Sequence, residues 1–113
     1  PNLRHVMTTA SAIATVARLA PGRLACAFGT GFTARAVLGQ KPLSWQFTRR
    51  YVEQLRGLLA GRVVEIDGRP CQMIHRPELA AKRPIDVPIL LAAFGPKGLA
   101  ITREIADGWM GFA

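Results

Sequence analysis

A chain of 113 residues with 15 basic and 7 acidic side chains has room for one domain at most and carries a net charge of +8. Half of it is hydrophobic, so it can bury a core, yet no run of about eighteen apolar residues exists to span a membrane. No long apolar stretch follows Pro1-Asn2-Leu3-Arg4-His5, so a secretory leader is not expected.

The chain opens without Met and stops inside an apolar run, which sets the expectation of an internal piece of a longer protein. The positive charge fits a solvated, Arg-rich surface, or an anionic partner such as nucleic acid or a phosphorylated cofactor. The basic residues are scattered from Arg18 to Arg83 without interleaved aromatics, so no nucleic-acid face is expected. Cys26 and Cys71 lie far apart with no Cys or His at ligand spacing. They read as free thiols in a reducing cytoplasm, with no metal.

Ala10, Ile13, Ala14, Val16 and Ala17 give Thr8–Leu19 a helical apolar face, ended by Pro21-Gly22. Arg23–Phe28 follows as a buried strand and runs into Gly29-Thr30-Gly31. Glycines there let a backbone approach a ligand closely, and their N–H groups can face a phosphate. A tight turn explains the same pattern. It is neither the dinucleotide fingerprint nor a Walker loop, since the third glycine and a Gly-Lys-Ser/Thr are missing.

Phe32–Gly39 reads as one or two helical turns. Ser44 is the expected N-cap of a helix reaching Leu59, with Val52, Leu55, Leu58 and Leu59 on one face and Gly61 as its C-cap. Trp45 and Tyr51 read first as core residues and second as ligand-stacking aromatics. Val63–Ile66 and Arg69–Ile74, joined by Asp67-Gly68, predict a hairpin. Arg76–Asp86, with two prolines, is an irregular linker, and His75 before it is a surface or capping residue.

The last quarter organises the chain. Val87–Ala93 is an almost unbroken apolar run, as in a strand buried on both faces. Phe94–Gly98 breaks it, and Leu99, Ile101, Ile105 and Ala106 follow at near-helical spacing. Asp107-Gly108 stops that helix and Trp109–Ala113 resumes the apolar run. A strand, helix and strand without a hairpin turn imply a parallel β-α-β crossover.

Three segments in this order, GRLACAFGTGF, RRYVEQLRGLLAGRVVEIDGR and VPILLAAFGPKGLAITREIADGWMGF, resemble the luciferase-like family of flavin- or deazaflavin-dependent oxidoreductases. Two departures stand out. Arg4-His5-Val6 replaces the family's Arg-His-Pro, and Phe32 stands where an acidic or small polar residue is common.

The resemblance implies an α/β fold, part of a TIM (β/α)8 barrel, with about three parallel strands, their helices and a small β-hairpin insertion. Arg23–Phe28, Val87–Ala93 and Trp109–Ala113 would be its fourth, fifth and sixth strands, and residues 1–113 the centre of a single barrel domain. A complete barrel needs roughly 250 residues, so two sheet edges are expected to be open.

In such barrels chemistry sits at strand C-termini. The resemblance places Gly29, Thr30, Gly31 and Phe32 on the cofactor from one turn, and Ala92, Ala93, Phe94 and Gly95 from the next. Lys97 would meet an anionic group of cofactor or substrate, or would be a solvated lysine at a helix start. The implied cofactor is FMN or a deazaflavin of the 8-hydroxy-5-deazaflavin type. The implied activity is a monooxygenase or hydride-transferring reductase acting on a small organic molecule, with a homodimer in the full-length form.

No catalytic residue is assigned, because the first three strands, which usually supply it, are mostly absent. The piece alone is expected to be inactive. Two other readings remain open: a basic nucleic-acid-binding α/β module, resting on charge alone, and a non-catalytic truncated barrel.

Overall fold

The apolar period that opens the chain becomes helix α1 (Val6–Leu19), which buries Val6, Ala10, Ile13 and Ala14. It starts two residues before the expected Thr8. The cap is His5, whose Nδ1 accepts from the Met7 N–H at 3.1 Å and so takes the role that Ser or Asp usually fills. A computed structural model describes residues 1 and 3–112.

Strand β1 (Cys26–Phe28) is shorter than the Arg23–Phe28 reading. Its ladder with the later strand β4 (Ile89–Ala92) runs only from Cys26↔Ile89 to Phe28↔Leu91, and the chain before it is turn. Helix α2 (Phe32–Ala36) is one turn and a half, and irregular turns replace the rest of the Phe32–Gly39 reading. Helix α3 (Trp45–Leu59) begins as expected, with Ser44 Oγ accepting from the Phe47 N–H at 3.1 Å. Its C-cap is Ala60, and Gly61 follows in the left-handed conformation at φ +80°.

The hairpin forms from β2 (Val64–Ile66) and β3 (Arg69–Cys71), antiparallel in the register Ile66↔Arg69. Asp67 and Gly68 both have positive φ, +52° and +75°, as the tight two-residue turn demands. The second strand stops at Cys71 rather than Ile74. Pro70 has no N–H to give, and Ile74 is exposed.

The segment 75–86 has no regular structure but is tied down. The Ala81 N–H reaches the Ala14 carbonyl at 3.0 Å, and the Ile85 N–H reaches the Leu59 carbonyl at 2.8 Å. Arg83 donates from Nη1 to the Met73 carbonyl at 2.5 Å. Half-buried His75 offers its carbonyl to the same guanidinium at 3.4 Å, so it braces this strap.

Strand β4, helix α4 (Pro96–Ile105) and strand β5 (Gly108–Met110) form the expected parallel crossover, and the sheet order is β1-β4-β5. Pro96 opens α4, where a missing N–H costs nothing. Of the Trp109–Ala113 reading, strand structure ends at Met110, and Ala113 lies outside the described residues.

One expectation fails in an informative way: β4 is not buried on both faces. Ile89 and Leu91 are fully buried with α1 and α3 in the core, whereas Leu90 and Ala92 are half-buried. On the same side as these two, Ala27 and Met110 are exposed. The helices cover one face of the sheet, and the other is the face that a closed barrel turns inward.

Asp107 locks the crossover. Its backbone N–H donates to the Ile89 carbonyl at 2.8 Å, and its Oδ2 accepts from the Ile89 N–H at 2.9 Å and Arg56 Nη2 at 2.8 Å. Arg56 also donates to the Ile105 carbonyl at 3.0 Å, which fixes α3 to the end of α4. The Ile89 N–H, and then Arg56, hold the Asp107 carboxyl below its ordinary pKa.

The folded value therefore lies below the unfolded one. This stabilisation is complete above about pH 5 and is lost as pH falls through the carboxylate range. Replacing Asp107 by Ala strands the Ile89 N–H, and urea unfolding at pH 7 should show a loss of about 1–3 kcal/mol. That deficit should shrink at acid pH, where wild-type Asp107 is itself protonated; a pH-independent deficit would refute the clamp.

Candidate functional site

Because β1, β4 and β5 are parallel, their C-terminal ends open on one side of the sheet. The turns there converge on a cavity of 510 Å³. Gly29, Thr30, Gly31 and Phe32 line it from the end of β1, and Ala92, Ala93, Phe94 and Gly95 from the end of β4. All eight residues expected at a cofactor thus share one space. Other hollows lie at the opposite pole, where the strap meets the strand N-termini.

The first turn is braced from behind. Gly31 has φ +75°, a left-handed conformation that opens α2 directly after the strand. The Thr30 carbonyl accepts from the Leu43 N–H at 2.9 Å, which draws the loop before α3 under the turn. That loop delivers Trp45, the first residue of α3, to the cavity wall. Trp45 is half-buried and rests on α4 at Gly98: a Cβ there would lie 2.4 Å from Trp45 Cζ2 and 3.0 Å from the Ala93 Cβ. Both readings of Trp45 therefore hold in part, since it packs on a helix and faces the cavity.

Tyr51 is a core residue. Its hydroxyl pairs with Thr9 Oγ1 at 2.5 Å, and its ring lies 5.9 Å from that of Phe28. Burial pushes its pKa up, as it does that of the Cys26 thiol, so neither is primed to ionise. Both cysteines are free.

Residues outside the expected set also reach the cavity: Thr33 from α2, Trp45 and Phe112. Phe112 follows β5, and its position just past a strand end was the one signal in the sequence that could have flagged it. Its ring stacks on Phe94 with centroids 5.0 Å apart and planes 4° from parallel. Trp109 Nε1 donates to the Ala93 carbonyl at 2.6 Å, which joins the second turn to the third.

No Asp, Glu, His, Lys or Arg lines the cavity, so this part of the molecule brings no acid–base group to it. Lys97 does not join the wall. It is exposed in the first turn of α4. Among the described residues no group of three or more His, Cys, Asp or Glu could hold a metal. No helix is long and apolar enough to cross a membrane.

The profile of luciferase-like monooxygenases matches residues 1–113. The chain belongs to this family. Among its relatives is 5,10-methylenetetrahydromethanopterin reductase of Methanolobus tindarius, 33% identical over 112 residues, covering 96% of this chain and 33% of the relative. The enzyme of that name from Archaeoglobus fulgidus is 35% identical over 104 residues, covering 88% and 30%. An F420-dependent glucose-6-phosphate dehydrogenase of Beutenbergia cavernae is 29% identical over 125 residues, covering 97% and 34%.

The fold is similar to that of an F420-dependent secondary alcohol dehydrogenase solved with an F420-acetone adduct. The TM-score is 0.69 at 23% identity, over 96% of this chain and 34% of that one. The architecture is thus a portion of the family's TIM barrel: three parallel strands, their helices and the hairpin. The chain spans about a third of the length of these relatives.

The Gly98 contact can be tested. Gly98→Ala must push Trp45 or Ala93 aside, and overpacking of this kind costs about 1–3 kcal/mol in unfolding free energy. An unchanged denaturation midpoint would show that Trp45 does not rest on α4.

Proposed function

We propose that this chain is the central, cofactor-binding portion of a deazaflavin-dependent oxidoreductase acting on a small organic molecule. The observation that carries the reading is the convergence of the two glycine-bearing turns on one cavity with uncharged walls. Its 510 Å³ falls within the ~300–1,000 Å³ usual for small-molecule sites. Small residues at Gly29, Gly31, Ala92, Ala93 and Gly95 let backbone come close to a flat ring, and Trp45 and Phe94 offer faces to it. The relatives named for F420 favour a deazaflavin over FMN.

When bound, a deazaflavin supplies hydride transfer, and the protein's share is to bind, orient and exclude water. Here the turns after β1 and β4 bind and orient, and the aromatic rings keep water out. Lys97, outside the wall at the start of α4, is placed to meet the anionic part of the cofactor.

Titration of F420 into the complete gene product, followed by quenching of its fluorescence, tests this. Asp tolerates the left-handed conformation of Gly31 but would bring an unpartnered charge to the cavity. Gly31→Asp should weaken F420 binding by at least about thirtyfold, and Gly31→Asn, of the same shape, by less. Equal affinity in wild type and the Asp variant would overturn the site. Lys97→Ala should weaken binding about threefold at low salt, with the difference vanishing at high salt.

A further inference from the structure

We propose that this site takes an uncharged, apolar substrate, held against the Phe94–Phe112 pair, and rejects phosphorylated or carboxylated ones. The inference rests on the deazaflavin reading above and adds the substrate class.

Three of the five phenylalanines of the chain, Phe32, Phe94 and Phe112, line this one cavity. They are 74%, 61% and 89% exposed. Large apolar rings left open to water and gathered at one hollow mark a binding surface rather than scattered exposure. Phe94 and Phe112 are also ordered against each other, nearly parallel at 5.0 Å. The Trp109 indole bonded to the Ala93 carbonyl holds their two turns together, so the pair forms a preset flat wall.

Phe112 comes from the third turn, beside the two assigned to the cofactor. The wall it makes is therefore next to the cofactor's place, where a substrate must sit. A phosphate or carboxylate arriving there would lose its hydration and find no cation, since no Lys, Arg or His lines the cavity. A relative named for glucose 6-phosphate shows that the family includes phosphorylated substrates, so the absence of charge here discriminates.

The test uses the complete gene product loaded with F420 and three probes: acetophenone, 4-acetylbenzoate and glucose 6-phosphate. Binding is read from the change in F420 fluorescence. Acetophenone should bind at least about tenfold more tightly than 4-acetylbenzoate, which differs by one carboxylate, and glucose 6-phosphate should not compete. Phe112→Lys should erase or reverse that preference.

If the lysine variant does not fold, Phe112→Leu keeps the apolar volume without the ring and should weaken acetophenone binding about fivefold. Equal or tighter binding of 4-acetylbenzoate or glucose 6-phosphate by F420-loaded wild type would overturn the substrate class and leave the cofactor site standing. So would an acetophenone affinity indifferent to Phe112, which would mean that another part of the protein covers the pair. Failure of F420 itself to bind would overturn the cofactor reading, and the substrate class with it.

Discussion

Everything at the candidate site depends on the parallel ladder centred on β4. A parallel sheet points every strand end the same way, so turns far apart in sequence meet without further instruction. The register Phe28↔Leu91 and Ala92↔Met110 sets how far each strand runs before its turn. A slip of one residue would turn Ile89 and Leu91 out of the core and send Leu90 and Ala92 into it. The hydrophobic pattern that builds the core thus also fixes which residues reach the cavity.

The two poles of the sheet are built from different materials. At the strand N-termini the chain is held by directed bonds: Asp107 on the Ile89 backbone, Arg56 on Asp107 and Ile105, and the strap on Ala14 and Leu59. At the C-termini the walls are glycine, alanine and aromatic rings, with little polar bonding of their own. This division matches barrel enzymes, in which one end serves stability and the other chemistry. It also allows the upper turns to vary without loosening the sheet.

The sequence disclosed the crossover, the Ser44 cap and the Asp67-Gly68 turn because each rests on chemistry within a few residues. The two glycine-bearing turns were legible for the same reason, and their order along the chain carried the family resemblance. What could not be read locally was set by partners distant in sequence. The length of β1 depends on where β4 pairs with it. The half-open face of β4 depends on which layers lie on either side, to which an apolar run such as Val87–Ala93 is indifferent. His5 escaped notice because an imidazole is an uncommon cap, and Phe112 because its stacking partner lies on another turn.

Trp45 and Trp109 are the only tryptophans in the chain, and both belong to the cavity's surroundings. One lies in the wall, and the other is bonded to the residue that precedes Phe94. The near-ultraviolet emission of this segment therefore originates almost wholly beside the site. A conjugated ring settling there would lie close enough to both indoles to drain their excited states. Occupancy and rearrangement of the turns can then be followed by light, with no label attached.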